Sequence, residues 1–139
     1  MKVKYSNVEN VFFAKSHLGQ PTTKIPYILV DNIPSLGLLT SLRFLEWVLD
    51  NPNGVISLPT GKTPEYFIKW TQYILSNWEK PEVEKICKDN GLQTNNKPKL
   101  NHLKFVQIDE VFYWHRIKRT SQIIEEQKND FQSLKDSKN

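Results

Sequence analysis

The 139 residues, 38% hydrophobic with four Trp, five Tyr and seven Phe, are enough for one domain with its own core and no more. Nineteen basic and fifteen acidic residues give a formal charge of +4 and are interspersed, which calls for neither a nucleic acid nor a membrane as partner; no apolar stretch reaches the length of a membrane span, and Met1-Lys2-Val3-Lys4 leads into no signal segment. The single Cys87 forbids an internal disulfide and fits a reducing cytoplasm, and with His17, His102 and His115 scattered along the chain neither a metal nor a cofactor is expected.

In chain order, Lys24-Ile25-Pro26-Tyr27-Ile28-Leu29-Val30 reads as an extended segment with an early proline. Ser35 then caps a helix running to about Asp50, whose Leu38, Leu39, Leu42, Leu45, Val48 and Leu49 recur at spacings of three and four. Asn51-Pro52-Asn53-Gly54 stops it. Val55 to Leu58 predicts a short buried strand, and Pro64 to about Trp78 a helix with Phe67, Trp70, Ile74 and Trp78 on its core face. A third helix spans Pro81 to Asp89 and closes at Asn90-Gly91; residues 92–101 have loop composition, and Leu103 to Ile108 is the second strand. Lys85, Lys88, Lys97, Lys99 and Lys104 alternate with Glu82, Glu84 and Asp89, the pattern of a solvated surface. The order helix, strand, helix, helix, strand predicts an α/β domain, a Rossmann-like open parallel sheet layered with helices.

Both strands end abruptly in chemistry. Val55-Ile56-Ser57-Leu58 runs into Pro59-Thr60-Gly61-Lys62-Thr63-Pro64, and Phe105-Val106-Gln107-Ile108 runs into Asp109-Glu110. An open parallel sheet presents its ligand site at the carboxyl ends of its strands. Pro64 suits a first helical turn, where its missing N–H is not needed, and Thr63 suits the N-cap before it. Such a helix start carries partial positive charge and free N–H donors for a phosphate. Gly61 allows close backbone approach, Thr60 and Thr63 offer hydroxyls, and Lys62 adds a charge. A strand-to-helix turn with no ligand is the plainer reading of the same residues.

Pro59-Thr60-Gly61-Lys62-Thr63 also looks like the end of a P-loop, with Asp109 as a magnesium carboxylate. That loop needs a glycine five positions before Gly61, so that its N–H groups wrap the phosphates. Ile56 stands there instead.

Leu58-Pro59-Thr60-Gly61-Lys62-Thr63-Pro64 followed by Val106-Gln107-Ile108-Asp109-Glu110 resembles the glucosamine-6-phosphate deaminase and isomerase family, whose fold is shared with 6-phosphogluconolactonases. The resemblance covers about residues 36–110, with Lys62 where many members have a second glycine. It implies a sugar-phosphate substrate, converted in complete members from glucosamine 6-phosphate to fructose 6-phosphate and ammonia. It further implies phosphate binding by Thr60, Gly61, Lys62 and Thr63. A carboxylate at Asp109 would move the proton between C2 and C1 of the opened sugar, with Glu110 in support. The family pattern breaks after Glu110. Residues 1–110 are expected to be the amino-terminal part of such a domain and 111–139 a divergent polar tail, possibly one exposed helix. The second sheet half, with its catalytic histidine and phosphate lysine, has no counterpart, and nothing places His115 in that histidine's role. Such a half sheet leaves an unpaired edge, so self-association or a complementary chain is expected. A P-loop-type nucleotide binder and a non-catalytic remnant are the alternatives.

Overall fold

The computed structural model describes residues 4–16, 22–58, 62 and 64–107. Among them are four helices and two strands: α1 (Asn7–Lys15), α2 (Ile33–Asp50), β1 (Val55–Leu58), α3 (Glu65–Ser76), α4 (Pro81–Asp89) and β2 (Lys104–Gln107). β1 and β2 pair in parallel, Val55 opposite Lys104 through Leu58 opposite Gln107. The chain is α/β, with α3 and α4 lying in the crossover between the two parallel strands.

α2 is the centre of the packing. Leu42 and Leu45 on its inner face are completely buried, each worth about 1.5–3 kcal/mol of hydrophobic stabilisation. Leu39 and Val48 of the expected stripe are buried beside them, and Leu38 and Leu49 are half-buried. The helix starts two residues before the expected one. Asn32 is its N-cap, and the Asn32 side chain accepts from the Ser35 N–H at 2.8 Å; Ser35 is the capped residue and not the cap. Asparagine fills this role as well as serine does, and Pro34 fits the first turn that it opens.

α3 also begins later than its sequence suggested. Pro64 is the N-cap rather than a first-turn residue, its carbonyl accepting from Ile68 at 2.9 Å, while Thr63 lies outside the described residues. At the other end the helix stops at Ser76, short of Trp78. Of its apolar stripe, Phe67 and Ile74 are buried, whereas Trp70 and Trp78 are only half-buried. The Trp70 indole N–H donates to the Pro34 carbonyl at 3.2 Å, so this ring ties α3 to the start of α2.

α4 has the expected bounds. Its end is a Schellman motif: Leu92 N–H donates to the Cys87 carbonyl and Gly91 N–H to that of Lys88, with Gly91 at φ 84°. Leu92, following the turn, is buried with Val83 and Cys87. Lys15 of α1 donates to the Asp89 carbonyl at 3.1 Å and to Asn90 Oδ1 at 2.8 Å, a cation where the α4 dipole is negative.

Three findings depart from the sequence reading. α1 was not anticipated, although Ser6-x-x-Glu9 is a complete capping box, with Ser6 Oγ accepting from Glu9 N–H and the Glu9 carboxylate from Ser6 N–H. The segment from Lys24 to Val30 joins no sheet. β1 is not a buried strand: Val55 is 58% exposed and only Ile56 and Leu58 are half-buried. A strand buried on both faces needs helices on both, and the described helices pack on the Ile56 side. Ile108, the last residue of the second strand as read from sequence, and the tail 111–139 lie outside the described residues.

Candidate functional site

The site read from the sequence lies where β1 and β2 end. Because the strands are parallel and in register, Leu58 and Gln107 sit side by side, about 4.8 Å apart across the ladder. The chain therefore leaves both strands at the same end of the sheet, toward Pro59 in one case and Ile108 in the other. Thr60, Gly61, Thr63, Asp109 and Glu110 lie outside the described residues. Lys62 is described: it is exposed, and its carbonyl accepts from the Glu65 N–H at 3.1 Å.

The element that would carry a phosphate loop is firmly held. Gly37 brings α2 onto the first turn of α3, so closely that a Cβ there would overlap Tyr66 Cβ and lie 2.9 Å from Phe67 N. Phe44 of α2 meets Phe67 edge-to-face with ring centroids 5.5 Å apart. One turn further, Ser41 and Thr71 share a buried hydroxyl hydrogen bond of 2.9 Å across the same pair of helices, and Thr71 also donates to the Phe67 carbonyl at 2.8 Å. The start of α3 is thus fixed by packing on one side and polar ties on the other.

Its electrostatics are mixed. Glu65 puts a carboxylate in the first turn, where it opposes a second anion. Lys69 answers it with a 2.6 Å hydrogen bond and ion pair. That hydrogen bond, with the Lys69 charge, holds the Glu65 carboxyl below its ordinary value, and the Lys62 charge lowers it further. Lys69 is raised in turn by the same bond to Glu65. Pro64 has no side-chain donor or acceptor to spend on the helix end.

Sequence reasoning missed a second feature. An open cavity of about 560 Å³ lies between α1, residues 26–28, α2 and β1 at Ile56. Tyr5, Phe13, Phe44 and Trp47 wall it, with Glu9 and Arg43 among its lining residues. Those charges are occupied: Arg43 Nε donates to Glu9 at 3.2 Å and Arg43 pairs with Glu46 at 3.5 Å. Glu46 in turn accepts from the Asn7 and Val8 N–H groups at the start of α1. The cavity therefore offers shape and apolar surface rather than a free acid, base or nucleophile. It assembles residues from four separate stretches of chain, which no local pattern could announce.

Cys87 is completely buried, and burial pushes its thiol up to about 11, so it is neutral and inert at neutral pH. Among the described residues no group of His, Cys, Asp and Glu side chains could hold a metal ion, and no helix is long and apolar enough to cross a membrane. Compared with models of known protein families, with characterised proteins and with solved structures, the chain matches none.

Proposed function

We propose that residues 36–110 are the sugar-phosphate-binding portion of a Rossmann-like domain of the glucosamine-6-phosphate deaminase and isomerase type, acting on amino-sugar phosphates in the cytoplasm. The observation that carries the proposal is the parallel pairing of β1 with β2, Leu58 beside Gln107, because it brings two chemically distinct continuations to one end of the sheet. One continuation is Pro59-Thr60-Gly61-Lys62-Thr63, leading into a helix held against α2; the other is Ile108-Asp109-Glu110. In this reading Thr60, Gly61, Lys62 and Thr63 receive the phosphate, and Asp109 is the base, with Glu110 in support. An ordinary aspartate, with a pKa of ~3.9, is ionised at neutral pH and can accept the C2 proton of an opened sugar phosphate. Positioning that sugar takes several kcal/mol of binding energy, which the described residues do not supply alone; the partner we propose for turnover is a complementary chain.

The P-loop alternative is opposed by the register. Ile56, where the loop's first glycine would stand, is a ladder residue of β1 opposite Phe105. A residue held in a strand cannot also wrap a triphosphate.

Amide chemical shifts test the proposal. Glucosamine 6-phosphate or fructose 6-phosphate should perturb Thr60, Gly61, Lys62 and Thr63 more strongly than inorganic phosphate does, and ATP with magnesium should do no better than phosphate. Magnesium-dependent ATP binding that disappears in Lys62→Ala would overturn the reading in favour of a nucleotide site.

A further inference from the structure

The outer edge of β1 is open. Lys104 N–H donates to the Gly54 carbonyl at 2.9 Å in a ladder that sets Val55 opposite Lys104. In a parallel ladder alternate residues of a strand bond to a given neighbour, so Gly54, Ile56 and Leu58 face β2. Val55 and Ser57 consequently turn their N–H and C=O groups the other way, and among the described residues no backbone hydrogen bond reaches them there. β1 also carries no charge to discourage pairing, whereas β2 begins with Lys104.

Beside this edge lies the cavity described above. Its walls come from α1 and α2 and from Tyr27, so the helical layer extends beyond β1 with no strand beneath it. Its volume, about 560 Å³, is that of roughly four residues of extended chain, and two paired strands alone are too few for a stable sheet. A second copy of this chain is a poor occupant. Paired edge to edge about a twofold axis, each copy would bring its own overhanging α1 and α2 into the space of the other.

We infer that the outer edge of β1 is a docking site for an extended strand of another polypeptide, which adds to the sheet and packs alternate apolar side chains on Phe13, Phe44 and Trp47. Main-chain bonds to Val55 and Ser57 supply its direction, and the apolar floor selects its side chains. The formal charge of +4, with Lys24 exposed next to the cavity wall at Pro26, favours acidic residues flanking the strand.

The probe is a blocked synthetic heptapeptide, Glu-Val-Thr-Val-Thr-Val-Glu, titrated into the full chain with tryptophan fluorescence and amide exchange as readouts. It should bind and slow exchange at Val55 and Ser57. Ser57→Pro removes an outward N–H and should weaken binding at least tenfold. Ser57→Ala, which keeps that N–H but loses the 2.8 Å bond from Ser57 Oγ to the Val106 carbonyl, should bind as the parent does. Tyr27→Asp, at a half-exposed wall position, should also lose binding, and it remains informative if the proline variant does not fold. No binding at millimolar peptide, equal binding by the parent and both weakened variants, or a concentration-dependent dimer in sedimentation that protects the same two amides would each overturn the inference.

Discussion

Replacing Gly37 by alanine tests how α2 positions the first turn of α3. In a free helix the change would stabilise by up to about 1 kcal/mol, since glycine costs that much relative to alanine. Here the new Cβ would overlap Tyr66 Cβ and lie 2.7 Å from the Tyr66 carbonyl carbon and 2.9 Å from Phe67 N. Two of those atoms belong to the backbone, so no rotamer change can make room and α3 must shift away. Overpacking of this kind costs typically 1–3 kcal/mol, and backbone contact argues for the upper part of that range. The expected net effect is a loss of about 1–2 kcal/mol after the helix gain is subtracted. Urea unfolding followed by circular dichroism measures it as a lower midpoint at unchanged slope. The variant should also weaken the phosphate-induced shifts at residues 60–63, since the loop is tethered to the displaced helix. A Gly37→Ala protein as stable as the parent, or more so, would refute the close crossing of α2 and α3.

Two further predictions concern the far side of the molecule. Gly91→Ala should destabilise by about 1–2 kcal/mol, because residue 91 sits at φ 84° and a Cβ there would lie 2.7 Å from the Asn7 carbonyl oxygen; unchanged thermal unfolding would contradict the Schellman turn. Cys87 should resist alkylation in the native protein at pH 8 and react at the rate of an ordinary thiol in urea, and prompt native labelling would contradict its burial. The folded thiol keeps its proton up to about 11, whereas an unfolded one loses it near 8.5. Its contribution to stability is therefore complete below pH 8.5 and is lost as pH rises from there through 11, which unfolding midpoints measured across that range will show.

Local chemistry was legible from the sequence where one element settled it. The spacing of Leu39, Leu42, Leu45 and Val48 announced α2, and Pro81 with Asn90-Gly91 bounded α4 to the residue. The alternation of helices with two short apolar runs announced parallel pairing, because a parallel connection needs a crossover and helices provide it. Helix starts were less secure: Asn32 and Ser35 are equally good caps, and only the observed bond from Ser35 N–H to Asn32 decides between them. α1 carried its signal in Ser6 and Glu9, but its apolar residues Val8, Phe12 and Phe13 make a weak stripe that acquires meaning only once α2 and α4 lie beside it.

The sequence by itself determined which segments are helix and strand and where phosphate chemistry begins, since caps, turns and periodicity act over a few residues. What sits opposite what belonged to the tertiary structure. Val55-Ile56-Ser57-Leu58 is an apolar run that reads as buried, yet half of it is exposed, because burial depends on neighbours supplied by distant parts of a chain. The Gly37–Tyr66 contact, the Ser41–Thr71 bond and the aromatic cavity at Ile56 are likewise pairings across long sequence separations, each fixed by how α2 packs and by nothing in its immediate sequence.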